Sequence, residues 1–150
     1  EQGKSKFGQR LLYVLLLLRA VADGLCWESI QVKYRIGTTL AELISFDIDG
    51  TLEVGDPPGC IDMDMVRSAK ANGYIIGSCS DRTVTNQKRI WQEQGIEVSF
   101  TVLKHQLGQV KSDFNADEYY HIGDTNIDQQ YAEREGFTYF LPEDSVTKFW

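Results

Sequence analysis

The stretch "LISFDIDGT", Leu43 to Thr51, decides the fold. An apolar run carries the chain into a buried strand, and two aspartates, Asp47 and Asp49, follow directly before Gly50 and Thr51. An unpaired charge inside a core costs several kcal/mol. The carboxylates therefore belong at the strand's carboxyl end, where a ligand or a counter-charge can meet them.

Working outward, strands and helices alternate. A strand over about 43–49 leads through the turn-rich "EVGDPPG" to a helix over about 62–72. "YIIGSCS" reads as a buried strand and "TVTNQKRIWQEQG" as a helix ended by Gly95. "EVSFTVL" is a strand, "QLGQVKSDF" a helix, "EYYHIGD" a strand, "NIDQQYAEREG" a helix closed by Gly136, and "FTYFL" a last strand before Pro142. Strands separated by helices of about ten residues predict right-handed crossovers and a mainly parallel sheet covered on both faces. In such sheets ligands bind beyond the carboxyl ends of the strands.

Upstream, "KSKFGQRLLYVLLLLRAVADG" predicts a helix with an apolar run from Leu11 to Leu18, and "SIQVKYRI" a half-buried strand. Eight apolar residues are too few to span a bilayer, so no membrane span is expected. Ala20-Val21-Ala22 could pass for a signal-peptide cleavage site, but Arg19 closes the run early and favours a packing helix. Net charge divides the same way: −7 overall, +3 over residues 1–40 and hence −10 over the rest. This predicts a helix-strand extension over residues 1–40 on an acidic core domain over 41–150. The acidic balance argues against a generic nucleic-acid binder. Cys26, Cys60 and Cys79 form an odd set without metal-type spacing, which predicts reduced thiols and a cytoplasmic protein.

The strand ends carry the chemistry. The first ends in Asp47-Ile48-Asp49-Gly50-Thr51, the second in Ser78-Cys79-Ser80-Asp81-Arg82, the third in Leu103-Lys104 and the fourth in Gly123-Asp124-Thr125-Asn126. Carboxylates, a hydroxyl and an ammonium are thus delivered to one edge, and such a set makes sense around a hard cation such as Mg²⁺, which often brings a phosphate. Taken singly, Asp49 or Asp124 reads as a loop or helix cap. His121 reads as a core histidine, His105 as a neighbour of Lys104 that could line the site, and Cys79 as a small buried residue. Asp56, Pro57 and Pro58 form a stiff loop that turn chemistry explains.

"FDIDGTL", then "IIGSCSDR", then a lysine, then "HIGDTNID", in that order, resembles the haloacid dehalogenase-like hydrolase superfamily over about residues 43–142. The resemblance implies a Rossmann-like, doubly wound three-layer α/β core. It implies Asp47 as a nucleophile forming an aspartyl-phosphate, and Asp49 as general acid/base. Metal ligands would be Asp47, the Asp49 backbone carbonyl and Asp124, with Asp128 as a second acidic position that orients the metal shell. Thr51 and the loop amides after Gly50 would hold phosphate oxygens, and Ser80, with Ser78 as the alternative, would bind the transferring phosphoryl group. Lys104, twenty residues before Asp124, fits the motif lysine, and Lys111, thirteen before it, is the alternative. Arg82 is either a substrate-phosphate contact or a solvated helix start. The 56–58 loop falls where the family often carries a flap.

Dehalogenases of this superfamily lack the second aspartate, so Asp49 points instead to phosphoryl transfer, and a Mg²⁺-dependent phosphatase is the expectation. Only about thirty residues separate Asp49 from Ser78 and about twenty-four separate Ser80 from Lys104, which leaves no room for a cap domain. A capless core favours a large phosphorylated substrate, or a homo-oligomer whose neighbour closes the pocket. The competing expectations are a phosphate-binding or protein-interaction module with a weak site, and a nucleic-acid end-processing phosphatase, for which Arg82, Lys88 and Arg89 offer a basic trio.

Overall fold

Leu43, Ile44 and Phe46 are wholly buried, as a strand covered by helices on both faces requires. They lie on β1 (Glu42–Phe46), the middle strand of a five-stranded, all-parallel sheet. The computed structural model describes residues 40–150, which form one compact unit. The leucine-rich helix and the strand expected over residues 29–36 lie outside the described residues. Among the described residues, no helix is long and apolar enough to cross a membrane.

From β1 the chain runs through α1 (Met63–Ala71), β2 (Ile75–Ser80), α2 (Val84–Glu93) and β3 (Phe100–Leu103). A single 3-10 turn, Lys104–Gln106, leads into α3 (Leu107–Asp113), followed by β4 (Glu118–Ile122), α4 (Asn126–Glu135), β5 (Thr138–Phe140) and α5 (Pro142–Ser145). The strand order is β3-β2-β1-β4-β5. The chain winds outward from β1 on one side, returns through α3, and winds outward again from β4. This is a Rossmann-like doubly wound α/β arrangement, with its switch point between β1 and β4.

Side-chain alternation sorts the core onto two faces. Ile44, Phe46 and Ile76 pack with Met63, Val66 and Ala69 of α1 and with Ile90 and Trp91 of α2. Leu43, Cys79 and Phe100 pack with Leu107 and Val110 of α3 and Ala132 of α4. Caps fix where the helices start: Asp62 accepts from the Met65 amide at 2.8 Å, and Thr83 from the Asn86 amide at 3.3 Å. Gly136, at φ 74°, terminates α4 in the left-handed conformation that suits glycine.

Three expected boundaries move. β1 ends at Phe46, not at residue 49, because the chain turns through Ile48–Thr51. β3 begins at Phe100 rather than at Glu97, and β4 ends at Ile122 rather than at Asp124; the helix expected over 106–114 is α3, Leu107–Asp113, preceded by the separate 3-10 turn. The short helix α5 follows β5 with Pro142 at its first turn, and beyond it Phe149 packs edge-on against Tyr74, Tyr120 and Phe140.

Candidate functional site

Asp47 is the first residue beyond β1. Its amide still donates to the Ile122 carbonyl of β4 at 2.8 Å, so the backbone holds it at the switch point, 3% exposed. Lys104, at the start of the turn after β3, crosses over to it and is itself buried. Its Nζ lies 3.4 Å from Asp47 Oδ2, 3.0 Å from Asp128 Oδ1 and 3.2 Å from Asp81 Oδ2. Burial disfavours the ammonium, but Asp47 and Asp128 outweigh it and raise the Lys104 pKa, so Lys104 is charged at neutral pH. Lys111, by contrast, lies on α3 with its amine on the Gly136 carbonyl at 3.0 Å and over the Tyr119 ring. Of the two lysines, Lys104 is the one that meets Asp47.

Asp124 follows β4 and is exposed, whereas Asp128, in the first turn of α4, is fully buried. Asp47, Asp124 and Asp128 each offer an oxygen within 4.8 Å of the others, an acidic cluster with two buried members and one exposed that could hold a metal ion. Gly50, at φ 72°, makes the approach possible, since a Cβ there would collide with the Asp124 carboxylate. Burial first, and the Asp128 charge second, push Asp47 up to about 7 against the pull of Lys104. Burial also raises Asp124. Five carboxylates, at 47, 49, 81, 124 and 128, face two cations, Lys104 and Arg82. A set of hard oxygen donors with surplus negative charge suits a divalent cation.

Asp128 is differently placed. Its Oδ1 accepts from Lys104 and from His121 Nε2 at 3.2 Å, and its Oδ2 from the Thr125 amide at 3.2 Å and the Thr125 hydroxyl at 2.5 Å. Burial alone would raise its pKa, but the His121 and Thr125 hydrogen bonds and the Lys104 charge lower it to about 2. The Thr125–Asp128 pair is also the capping box of α4, so the cap and the Lys104 partner are one residue.

Asp49 takes a different partner. The turn after β1 hands its carboxylate to Arg82, whose Nε lies 3.0 and 2.9 Å from the two oxygens and whose Nη2 lies 2.6 Å from Oδ1. The Asp56 amide adds a fourth bond at 2.7 Å, tying the 56–58 loop to Asp49. These bonds, the Arg82 fork foremost, hold the Asp49 carboxyl below the usual carboxylate range. Arg82 therefore has a definite partner, the Asp49 carboxylate, beside the two roles expected of it. It pairs with Asp49 and steadies itself on Asn86 Oδ1 at 3.0 Å.

The two candidate serines separate cleanly. Ser78 donates to Gln87 Oε1 at 2.7 Å and accepts from Trp91 Nε1 at 2.9 Å, both within the α2 face of the core. Ser80 ends β2 and accepts only the Arg82 amide at 3.3 Å, so its hydroxyl proton stays free among the described residues. Thr51 is buried, and its hydroxyl has no hydrogen-bond partner among the described residues. His105 is exposed on the turn, and the Cys79 thiol is pushed up by burial, which leaves it protonated and un-nucleophilic at neutral pH.

Reading the sequence alone misses three participants. Asp81 follows Ser80 directly, and its acidity was the signal. Gln87 is fully buried and sends its amide to the Arg82 and Val102 carbonyls at 2.8 and 3.0 Å, locking the chain after β2. Ser45 stands opposite His121 in the β1–β4 register and lies 3.1 Å from His121 Nδ1. Two polar residues in the two central strands of a buried sheet were the clue there. No protein-family model matches the chain, and no curated protein matches it.

Proposed function

We propose that the protein is a Mg²⁺-dependent phosphohydrolase of the haloacid dehalogenase-like type, acting through an aspartyl-phosphate on Asp47. The observation that carries this reading is Lys104: the ammonium after β3 bridges the carboxylate after β1 and the carboxylate of α4, beside Asp124 after β4. Separate strand ends thus bring together residues to which the sequence resemblance would give the nucleophile, lysine and acidic roles.

In this reading the Asp47 carboxylate attacks phosphorus and the bond to the leaving oxygen breaks, with Asp49 giving that oxygen its proton. Asp49 then takes a proton from water, whose oxygen attacks the aspartyl-phosphate, releasing phosphate and restoring Asp47. Lys104 offsets charge on Asp47 and on the phosphoryl oxygens. The free Ser80 hydroxyl, the Thr51 hydroxyl and the amides after Gly50 supply hydrogen bonds to those oxygens; an unpaired buried hydroxyl such as that of Thr51 is what such a role leaves behind. Asp47 and Asp124, with the Asp49 carbonyl, would hold Mg²⁺, which when bound neutralises phosphate charge and brings the raised Asp47 pKa down. Arg82 acts on Asp49, holding the proton carrier in place. The exposure of Asp124 favours a phosphate carried on a macromolecule over a small, enclosed ester.

Phosphate release tests this, measured across phosphorylated sugars, nucleotides, phosphopeptides and 3′- or 5′-phosphorylated oligonucleotides. Turnover of at least one class is expected, dependent on Mg²⁺ and reduced roughly 1000-fold or more in Asp47→Asn. Equal inactivity of both proteins on every class, with no Mg²⁺ bound, would replace the enzyme by a binding module.

A further inference from the structure

Ser45 and His121 are an expensive choice for two central strands. Both are at most 1% exposed and sit directly opposite each other, where parallel sheets usually carry Val, Ile or Leu. A hydroxyl and an imidazole in such a place cost free energy unless both are bonded. Here they form a chain. Asp128 as a carboxylate can only accept, so His121 Nε2 carries the hydrogen and donates to it at 3.2 Å. On the other side of the ring, Nδ1 lies 3.1 Å from the Ser45 hydroxyl, which can donate or accept and so bonds to either form of that nitrogen.

The chain ends at the lysine. A carboxylate has about four lone-pair sites, and on Asp128 these go to His121, Lys104, the Thr125 amide and the Thr125 hydroxyl. Gly123 closes the remaining side, since a Cβ there would collide with the Asp128 carboxyl group. We infer that His121, oriented by Ser45, is a positioning residue that aims Asp128 at Lys104, so that Asp128 steers the lysine while Asp47 and Asp124 are left to take the cation. The inference rests on the reading of this site as a cation-assisted phosphoryl-transfer centre. An apolar pair at 45 and 121 would fill the space without the polar burial, which is why a role beyond packing is called for. With the chain cut, Asp128 turns, Lys104 falls back on Asp47, and the ammonium competes there with the cation.

Three variants of the full chain test it: His121→Leu, which has no donor; His121→Gln, which keeps an N–H near the position of Nε2; and Ser45→Ala. Each is followed by calorimetric titration with Mg²⁺ and by turnover of p-nitrophenyl phosphate. His121→Leu is expected to weaken Mg²⁺ binding by about 10- to 100-fold and to lower kcat similarly with little change in KM. His121→Gln should recover most of both losses, and Ser45→Ala should lie between. Mg²⁺ affinity unchanged in His121→Leu, or His121→Gln as defective as His121→Leu, overturns the inference. If His121→Leu fails to fold, Ser45→Ala decides, because it removes little volume; wild-type affinity and kcat in that variant also overturn the inference. Wild-type protein that binds Mg²⁺ but turns nothing over would remove the phosphatase reading, and His121 would then be judged on the calorimetry alone.

Discussion

Asp49 commits its carboxylate to the Arg82 fork, and this single pairing sets how a proton carrier would behave here. Because Arg82 holds the Asp49 carboxyl below its ordinary range, removing the guanidinium lets that pKa rise. A group that must be protonated to serve the leaving oxygen then keeps its proton to higher pH. Arg82→Gln should therefore move the alkaline limb of the pH–rate profile upward, and an unmoved limb would take Asp49 out of the acid role. Gly50 makes a second residue-scale case. Alanine there meets both an unfavourable φ of 72° and the Asp124 carboxylate, so Gly50→Ala should displace Asp124 and weaken Mg²⁺ binding by about 10-fold or more in calorimetry. Asp47, Lys104 and Asp124 were legible because each lies at a strand end, and strand ends follow from hydrophobic pattern. The Arg82–Asp49 pair was not, because the direction of Asp49 is set by a turn after the strand has ended, and two-residue spacing predicts a shared face only while the chain stays extended.

Among the elements, α2 shows how a polar network can be structural beside one that is not. Gln87 and Trp91, one turn apart, reach down to Ser78 inside β2. Ser78→Ala leaves both of their groups buried without a partner, at a cost of about 1–3 kcal/mol in denaturant unfolding, while turnover by the folded fraction is retained. Ser80→Ala should do the reverse, with less loss of stability and a clear loss of kcat. Strand alternation alone places both serines on one face; the motif register favoured Ser80, and the partner helix α2 shows what occupies Ser78. Every strand and helix expected within residues 43–141 is present, because turn residues and caps such as Gly95, Gly136 and Thr83 are local signals. The end of β1 and the start of β3 were misplaced because the residue pattern runs on beyond the ladder, past Phe46 in one case and ahead of Phe100 in the other, and α5 went unread because four residues carry no period.

For the whole molecule, strand order decides where the charge collects. Starting in the centre and winding outward twice brings the ends of β1 and β4 side by side, and the acidic surplus of residues 41–150, −10 in formal charge, includes the carboxylates gathered there. The pattern of strands and helices made the layered α/β class legible, but the convergence of Asp81 and Asp128 on Lys104, with His121 behind Asp128, depends on packing between distant elements. The charge has a pH signature. Asp47 is raised to about 7 on folding, so between about pH 4 and 7 the folded protein keeps a proton the unfolded chain has lost, and its stability falls as pH rises through that window. Asp128, lowered to about 2, works oppositely: its contribution is present above about pH 4 and is lost as pH falls toward 2. A divalent cation takes the place of the Asp47 proton. The rise in melting temperature on adding Mg²⁺ should thus be greater at pH 8 than at pH 5, corresponding at pH 8 to about 2.7 kcal/mol when Mg²⁺ is 100 times its Kd; an equal rise at both would dissociate Asp47 from the cation. The central claim, a covalent phosphoryl group on Asp47, is open to direct chemical capture. Protein quenched during turnover of acetyl phosphate with Mg²⁺ and reduced with borohydride converts an acyl phosphate to an alcohol, which peptide mass spectrometry locates. Homoserine at position 47, absent when Mg²⁺ is omitted, is the predicted result; an unmodified Asp47 during demonstrable turnover, or reduction at another carboxylate, would contradict it.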